Sequence, residues 1–276
     1  MNRIVITGAT AGIGLECAKA LANGNHLVLI GRNPEKLRFA SEAVMASGAI
    51  AVDTELCDFA SLESVRQLAS AIISNYEHID VLINNAGAAF ANRSESRDGY
   101  ESTFAVNHLA PFLLTELLKP LLVRSAPSRV VITASAAHHR ATLDFDDLAF
   151  RRRYNGIKAY SRSKLANVIH ARELGRELTG SGVTANALHP GVVATDIWND
   201  APWYLQPLIG IARRYLMITP EEGGSRICYV ATAPELATVT GEYFQDNTIR
   251  QPSHLARDTQ VSQQLMAESA RMVGLR

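Results

Sequence analysis

The stretch "VITGATAGIG", residues 5–14, decides the fold, because it joins an apolar run to three closely spaced glycines. Gly8, Gly12 and Gly14 stand where the first predicted strand passes into the first predicted helix. Glycine tolerates positive φ and lets backbone amides approach a pyrophosphate, while a helix N-terminus supplies partial positive charge. The stretch therefore predicts a dinucleotide-binding turn, although many tight turns without a ligand have similar sequences.

Short apolar runs recur along the chain and predict the rest of the fold. They read RIVIT, HLVLIG, AIAVDTEL, VLIN, RVVITA, VTANALH and GEYFQ, and turn residues bound each of them. Such runs are typical of strands buried on both faces of a sheet. Between them, segments such as residues 34–47 and 62–75 carry apolar residues at helical spacing. The alternation predicts an α/β, Rossmann-type fold: a doubly wound, seven-stranded, mainly parallel sheet with helices on both faces.

The composition predicts one soluble domain spanning residues 1–276. The chain is 47% hydrophobic, and its 27 basic side chains balance its 27 acidic ones, so no net field attracts nucleic acid or an anionic membrane. Three cysteines, widely separated in sequence, argue against a disulfide framework and a zinc site. No apolar run approaches the length of a membrane span, and the chain starts almost directly on a strand. We therefore expect a cytoplasmic protein with neither signal peptide nor membrane insertion.

A second stretch, "KAYSRSKLAN" at residues 158–167, places Tyr160 and Lys164 four positions apart on one helical face. A free phenol titrates near pH ~10, and lowering that pKa by ~3 units needs roughly 4 kcal/mol of selective anion stabilisation. Two unit charges ~4 Å apart supply ~4 kcal/mol only at an effective dielectric of ~20. In an arbitrary helix such a pair is usually an ordinary surface pair. In a sheltered cleft it suits acid–base catalysis.

The glycine spacing G-x-x-x-G-x-G resembles that of the short-chain dehydrogenase/reductase family, and ordered matches extend the resemblance over nearly the whole chain. They are TGATAGIG, Asp58 after the third strand, NNAG at residues 84–87, Asn107 in VNHLAPFLLTELL, Ser135 in VITASAAHH, AYSRSK and HPGVVATDI. Ser135 and Tyr160 are 25 positions apart, about twice the separation in the commonest members. The long insert HHRATLDFDDLAFRRRYNGI, residues 138–157, lies between them. With SKLANVIHARELGREL and TPEEGG, this insert is similar to the branch of retinol dehydrogenases and WW-domain oxidoreductases.

The resemblance implies roles for four side chains. Tyr160 would be the acid/base, and Lys164 would lower its pKa and bind the nicotinamide ribose. Ser135 would hydrogen-bond the substrate oxygen, and Asn107 would hold a water that links the lysine to solvent. Ser135 also follows the fifth predicted strand, at the carboxyl edge of the sheet where such folds bind ligands. The predicted catalytic residues are therefore Asn107, Ser135, Tyr160 and Lys164.

The end of the second predicted strand indicates which dinucleotide is bound. An NAD enzyme would place an acidic residue there, and this chain has Arg32. A guanidinium suits a 2′-phosphate, so we expect NADP(H) to be preferred and NAD(H) to be possible; a solvent-facing arginine is the alternative. The resemblance further implies that Asp58 meets the adenine amino group, and that Thr195 bonds the carboxamide. The expected cofactor-binding residues are Gly8, Thr10, Gly12, Ile13, Gly14, Arg32, Asp58, Asn85, Ala86, Gly87, Tyr160, Lys164, Pro190, Gly191, Val193 and Thr195.

The adjacent His138 and His139 raise the possibility of a metal site. Neighbouring histidines point in different directions in most backbones, and no third ligand is placed by spacing, so we predict no metal and a loop or substrate-wall role.

The resemblance implies a small-molecule substrate of lipophilic character, because members of this branch act on retinoids, steroids and other lipophilic alcohols and carbonyls. Residues 196–219 are rich in apolar side chains and are predicted to cover such a substrate, although a plain pair of packing helices is an equal alternative. We expect the chain to be without the N-terminal anchor common among retinol dehydrogenases, an expectation that argues against retinol itself. Reduction of a carbonyl is the expected direction.

Two further points stay open at the level of sequence. The resemblance implies a homodimer formed through helices at about residues 100–124 and 160–179, with a monomer as the alternative, because the insert before Tyr160 could cover that surface. A second hypothesis for function is an NADP-binding regulator without turnover. Such proteins usually lose the tyrosine or the lysine, and this chain keeps both.

Overall fold

The computed structural model of the chain describes residues 1–191 and 218–275. In these residues, eight strands form one sheet in the order β3-β2-β1-β4-β5-β6-β7-β8. All pairs from β3 to β7 are parallel, and β8 runs antiparallel to β7. The strands are β1 (Arg3–Thr7), β2 (His26–Gly31), β3 (Ala51–Leu56), β4 (Val81–Asn84), β5 (Ser128–Thr133), β6 (Val183–His189), β7 (Tyr243–Gln245) and β8 (Thr248–Arg250).

Helices cover both faces of the sheet, as the alternating pattern predicted. The helices are α1 (Gly12–Ala20), α2 (Pro34–Ala46), α3 (Leu62–Asn75), α4 (Ser102–Phe104), α5 (Ala110–Arg124), α6 (Gly156–Glu177), α7 (Pro220–Thr232), α8 (His254–Arg257) and α9 (Thr259–Met272), and a π-helical turn (Ala105–Leu109) joins α4 to α5. One core packs α3, α5 and α6 against residues such as Val5 of β1. The other core packs α1, α2 and α7 against Ile4 and Ile6, the neighbours of Val5 on the opposite face of the sheet.

The prediction of seven strands was one short, because β8 pairs with β7 in a tight hairpin. Asp246 and Asn247 form its turn with φ of 52° and 57°, the left-handed conformation that a two-residue hairpin turn requires. Aspartate and asparagine tolerate this conformation better than most residues. The three residues of β8 are exposed and present no apolar run, so periodicity does not reveal the strand.

The expectation that no apolar run is long enough for a membrane span was wrong. In the described part of the chain, the helical stretch Ser102–Arg124 meets that length and composition, with a mean hydropathy of 1.2 over its best window. That window is 67% buried inside the fold, where Phe104, Leu109 and Leu113 belong to the core. A buried core helix passes the same test, so the stretch is weak evidence for a membrane location.

Two of the three cysteines meet in the fold although they are far apart in sequence. The sulfur atoms of Cys17 on α1 and Cys228 on α7 lie 3.5 Å apart, and both are free thiols, as is Cys57. Gly224 brings the two helices this close, because a Cβ at that position would lie 2.7 Å from the Cys17 nitrogen. The contact packs α7 against the helix that follows the glycine turn.

Candidate active site

The glycine turn after β1 is shaped in a way that only glycine allows. Gly8 has a φ of +67°, and a Cβ there would lie 2.9 Å from the Ala86 Cα. A Cβ on Gly14 would lie 2.2 Å from the Gly8 carbonyl oxygen. Helix α1 starts at Gly12, and its N-cap is Ala11, which has no side-chain acceptor for the first backbone N–H groups. These N–H groups and the absence of Cβ atoms fit a bound pyrophosphate.

A buried threonine joins this turn to the turn after β4. The Thr7 hydroxyl accepts hydrogen bonds from the backbone N–H groups of Asn85 at 2.9 Å and Ala86 at 3.0 Å. In return, the Asn85 amide donates to the carbonyls of Thr7 at 3.1 Å and Gly8 at 3.3 Å. Asn85 and Ala86 therefore hold the glycine turn in place. Thr7 lies inside the glycine motif, but its role in joining the two turns could not be predicted from the residue pattern.

The residues expected on the adenosine side lie after β2 and β3. Arg32 follows β2 and is exposed, and none of the ion pairs within the described residues uses it. Asp58 follows β3, accepts from the Ala60 N–H at 3.0 Å and pairs with Arg97 at 3.3 Å. Thr10 packs against Gly31, where a Cβ would lie 2.5 Å from its methyl group. Because the Arg32 guanidinium is exposed and makes no ion pair within the described residues, it is compatible with binding a 2′-phosphate.

The end of β5 and the first turns of α6 bring three predicted catalytic residues together. Asn155 caps α6 by accepting from the Lys158 N–H at 3.0 Å, so Tyr160 and Lys164 lie near the beginning of the helix. The Lys164 ammonium donates to the Thr133 carbonyl at 3.0 Å and lies 5.6 Å from the centre of the Tyr160 ring. Ser135 comes two residues after Thr133, at the carboxyl edge of the sheet.

Burial dominates the electrostatics of this pair. It lowers the pKa of Lys164 to about 8, so the amine is still mostly protonated at neutral pH. It also raises the pKa of Tyr160 above its ordinary value, while interaction with the Ser135 side chain has a smaller effect in the opposite direction. The lowering of the Tyr160 pKa expected from the sequence is therefore not a property of the protein alone. The cost of desolvating the phenolate outweighs the stabilisation that the protein provides.

Asn107 lies in the π-helical turn between α4 and α5. Its side-chain oxygen accepts from the Ala88 N–H at 2.7 Å, and its amide donates to the Ala88 carbonyl at 2.9 Å and to the Ser163 hydroxyl at 3.0 Å. A Cβ on Gly87 would lie 3.2 Å from the Asn107 oxygen and 3.4 Å from the Lys164 nitrogen. The asparagine therefore holds the loop after β4 beside Lys164, a location typical of π-helical turns at functional sites.

His138 supports the loop that follows Ser135. Its Nδ1–H donates to the Ser135 carbonyl at 2.7 Å, and its Nε2 accepts from the Ser253 N–H at 3.2 Å. Burial lowers its pKa to about 4, so the ring is neutral. The ring of the exposed His139 lies 4.0 Å from it, centre to centre. Both nitrogens of His138 are thus used in holding the loop.

The predicted nicotinamide side is described only in part. Gly191 has a φ of +112°, and a Cβ there would lie 2.3 Å from an Ile218 methyl group. The Pro190 carbonyl accepts from Arg226 at 3.2 Å. Val193 and Thr195 lie outside the described residues, as does most of the predicted covering segment at 196–219, of which only Ile218 and Thr219 are described.

The described residues predicted for the site all lie along one edge of the sheet. They follow the carboxyl ends of β1 to β6 or lie in α1, α6 and the π-helical turn, which pack against that edge. Sequence reasoning missed Thr7, Thr133 and Ser163, whose hydroxyl or carbonyl groups hold the predicted residues in place. Such supporting contacts have no signal in a single sequence.

Comparisons with known proteins agree with this arrangement. Residues 2–203 match the family model described as short chain dehydrogenase. Human retinol dehydrogenase 13 is 41% identical over 279 residues, which cover 99% of this chain and 84% of that protein. A crystal structure of an uncharacterized protein from Mycobacterium Paratuberculosis has a TM-score of 0.79 at 30% identity, covering 99% of this chain and 94% of that one. The NADP active-site complex of RhlG from Pseudomonas aeruginosa has a TM-score of 0.71 at 25% identity, covering 88% and 93%.

Proposed function

The chain belongs to the short-chain dehydrogenase/reductase family, and from the convergence of Ser135, Tyr160 and Lys164 we propose that it is an NADP(H)-dependent enzyme acting on a lipophilic alcohol or carbonyl compound. The family and its retinol dehydrogenase-like relatives make it an oxidoreductase that binds a nicotinamide cofactor. The contact between the Lys164 ammonium and the Tyr160 ring carries the proposal, because it places a buried cation beside a half-buried phenol.

In the proposed reaction, Tyr160 moves the proton and Ser135 orients the substrate. The raised pKa of Tyr160 keeps its phenol protonated at neutral pH, so it is ready to donate a proton to a carbonyl oxygen. The Ser135 hydroxyl donates a hydrogen bond to the same oxygen. The Lys164 ammonium stabilises the phenolate that forms, because the attraction between opposite charges is stronger in a buried site, where the effective dielectric is low. When bound, the nicotinamide supplies the hydride at its C4. In alcohol oxidation, Tyr160 takes the proton instead.

The proposed cofactor site uses the residues that the sequence predicted. The glycine turn and the N-terminus of α1 would hold the pyrophosphate, Arg32 the 2′-phosphate and Asp58 the adenine amino group. Lys164 and Tyr160 would contact the nicotinamide ribose. A preference for NADP(H) is supported by the exposed, unpaired guanidinium of Arg32 within the described residues, and RhlG was solved with NADP.

The proposed substrate class is supported by the names of the relatives. Human retinol dehydrogenase 13 and retinol dehydrogenase 14 are 41% and 38% identical to this chain over nearly all of it. Retinoids are bulky and apolar, so we propose a lipophilic substrate without naming it. We further propose a single catalytic domain in the cytoplasm, paired as a homodimer through α5 and α6, which cell fractionation and light scattering would test.

Absorbance of the reduced nicotinamide tests the function. The purified protein is given NADPH, then NADH, with a panel of aromatic, terpenoid, steroid and aliphatic carbonyls. We expect turnover with NADPH on the larger apolar compounds, lost by ~10²- to 10⁴-fold in Tyr160→Phe while cofactor binding is kept.

A matched control is Tyr229→Phe on α7, which makes the same change away from the site and should retain full activity. Tight NADPH binding without turnover across the panel contradicts the proposal and favours the regulator. Equal activity of Tyr160→Phe and the parent excludes Tyr160 as the acid.

A further inference from the structure

Arg162 is a buried arginine on α6 that the proposed reaction does not use. Only 3% of its surface is exposed. Its guanidinium donates to three backbone carbonyls of the long insert: Thr142 at 2.9 Å, Asp147 at 2.7 Å and Leu148 at 3.1 Å. It also lies 3.7 Å from the centre of the Phe150 ring, a cation–π contact. One side chain therefore contacts the insert at four places.

The insert joins two proposed catalytic residues. It begins at His138, three residues after Ser135, and ends at Ile157 in the first turn of α6, which starts at Gly156, four residues before Tyr160. His138 holds its first end against the Ser135 carbonyl. Tyr154 holds its last end by donating to the Phe90 carbonyl at 2.8 Å. Any movement of the insert thus acts on both sides of the proposed catalytic site.

Between these two ends, the insert has little regular structure to stabilise it. It includes part of one short 3₁₀ turn, Ala136–Arg140, and the whole of another, Phe145–Asp147. Phe150 has a φ of 49°, which a bulky side chain adopts only when its surroundings hold it there. Arg93 donates to the Ala149 carbonyl at 3.1 Å, which adds one contact from the loop after β4. Within the described residues, four hydrogen bonds run from side chains outside the insert to its middle, and the Arg162 guanidinium makes three of them.

A buried guanidinium is costly unless its donors are satisfied, and lysine could not replace it. The planar fork of arginine reaches several acceptors in fixed directions, whereas a lysine presents a single nitrogen. Asp144, Asp147 and Glu101 add favourable charge at longer range. A leucine or methionine would fill the space without this cost. The arginine is therefore better explained by the loop that it holds than by stability alone.

We propose that Arg162 is a positioning residue that holds the insert as a fixed wall beside Ser135 and Tyr160, and that this wall determines selectivity for bulky apolar substrates. The inference rests on the proposed function for its substrate class. In this role Arg162 determines substrate choice and takes no part in proton transfer.

The test compares Arg162→Ala with Arg176→Ala, a control on the same helix whose side chain is 54% exposed. We expect Arg162→Ala to lose about tenfold to a hundredfold in kcat/KM on bulky carbonyls and much less on small ones, with NADPH affinity unchanged. Millimolar methylguanidinium should restore part of the loss, and methylammonium should not. Equal loss on bulky and small substrates, or no rescue, overturns the proposal.

Limited trypsin digestion measures how firmly the insert is held, and it does not require enzyme turnover. Arg151, Arg152 and Arg153 are exposed within it. Cleavage there should be several times faster in Arg162→Ala than in the parent or in Arg176→Ala, and methylguanidinium should slow it. An unchanged cleavage rate overturns the fixed wall. If the parent itself shows no turnover, the proposed function has failed, and the digestion still decides whether Arg162 holds the insert.

Arg162→Lys provides a second variant if the alanine variant does not fold. It keeps the charge and much of the volume but lacks the planar fork. We expect faster trypsin cleavage and reduced kcat/KM on bulky carbonyls in this variant as well. Parent-like cleavage together with parent-like selectivity in Arg162→Lys overturns the proposal.

Discussion

The Lys164 ammonium donates a hydrogen bond to the Thr133 carbonyl at 3.0 Å, which ties α6 to the last residue of β5. The Asn167 amide donates to the same oxygen at 3.2 Å. The contact holds Lys164 in its buried position beside Tyr160. It also places Lys164 close to Ser135, because Ser135 follows Thr133 by two residues. This backbone oxygen thus places the cation without neutralising it, since a carbonyl carries no net charge.

The charge of Lys164 should determine the alkaline limb of the pH profile. Its pKa is lowered to about 8, so the amine is charged below that pH and loses its charge above it. We expect kcat/KM for carbonyl reduction to fall as the pH rises through about 8. Lys164→Arg keeps its charge, so its limb should move to higher pH although its overall activity is lower. Steady-state profiles of both proteins test this, with the exposed Lys158→Arg as control; an identical limb in Lys164→Arg contradicts the prediction.

Replacement of Gly14 by alanine should weaken cofactor binding. Its Cβ would lie 2.2 Å from the Gly8 carbonyl oxygen and 2.5 Å from the Asn85 amide nitrogen, so the turn must move. We expect NADPH affinity to fall at least about tenfold, with a loss of about 1–3 kcal/mol in the free energy of unfolding. NADPH fluorescence titration and urea unfolding measure the two effects.

Gly24→Ala is the control for that experiment. Gly24 also has a positive φ, +73°, but it lies in open space away from the glycine turn. Its replacement should cost about 1–2 kcal/mol of stability and leave NADPH affinity unchanged. If Gly14→Ala binds NADPH as tightly as the parent, the glycine turn is not the pyrophosphate site.

Removal of the Arg32 guanidinium should change the choice of dinucleotide. A hydrogen bond to a charged group contributes about 1.5–3 kcal/mol, so Arg32→Gln should weaken NADPH binding roughly 10- to 100-fold and leave NADH binding nearly unchanged. KM values for both cofactors test this. The control is Arg38→Gln, an exposed arginine on α2 that pairs with Glu42. A similar effect of Arg32→Gln on NADPH and NADH would show that Arg32 does not contact the 2′-phosphate.

The buried His138 should make the protein less stable in mild acid. Its pKa is about 4 in the fold and about 6.5 in an unfolded chain, so between these values the unfolded chain binds a proton that the folded one does not. Stability should therefore fall as the pH drops from 6.5 towards 4, by roughly 2 kcal/mol at pH 5 from this residue.

His138→Gln tests that dependence, because glutamine keeps a donor and an acceptor but does not titrate. We expect it to be less stable than the parent at pH 7 and to lose less stability between pH 7 and pH 5. Urea unfolding at both pH values measures the difference. The control is His139→Gln, its exposed neighbour, and an equal pH dependence in His138→Gln and the parent would contradict the prediction.

Most of the sheet could be predicted from the sequence because its strands are buried on both faces. Burial on both faces requires continuous apolar runs, and β1, β2 and β4 show them plainly. Strand β8 is short and exposed, so no such run marks it, and its pairing depends on a turn that neighbouring residues alone do not determine. The retinol dehydrogenase-like character also followed from motif order, and the comparisons confirmed it.

By itself, the sequence determined the local relations, because these depend only on backbone geometry. Four positions along a helix place Tyr160 and Lys164 on one face, and glycine alone permits the conformation of Gly8. Only the tertiary structure decided which groups surround them: Thr133 as the partner of Lys164, the raised pKa of Tyr160 and the hold of Arg162 on the insert. These depend on burial and on contacts between residues distant in the chain, which packing of the whole fold creates.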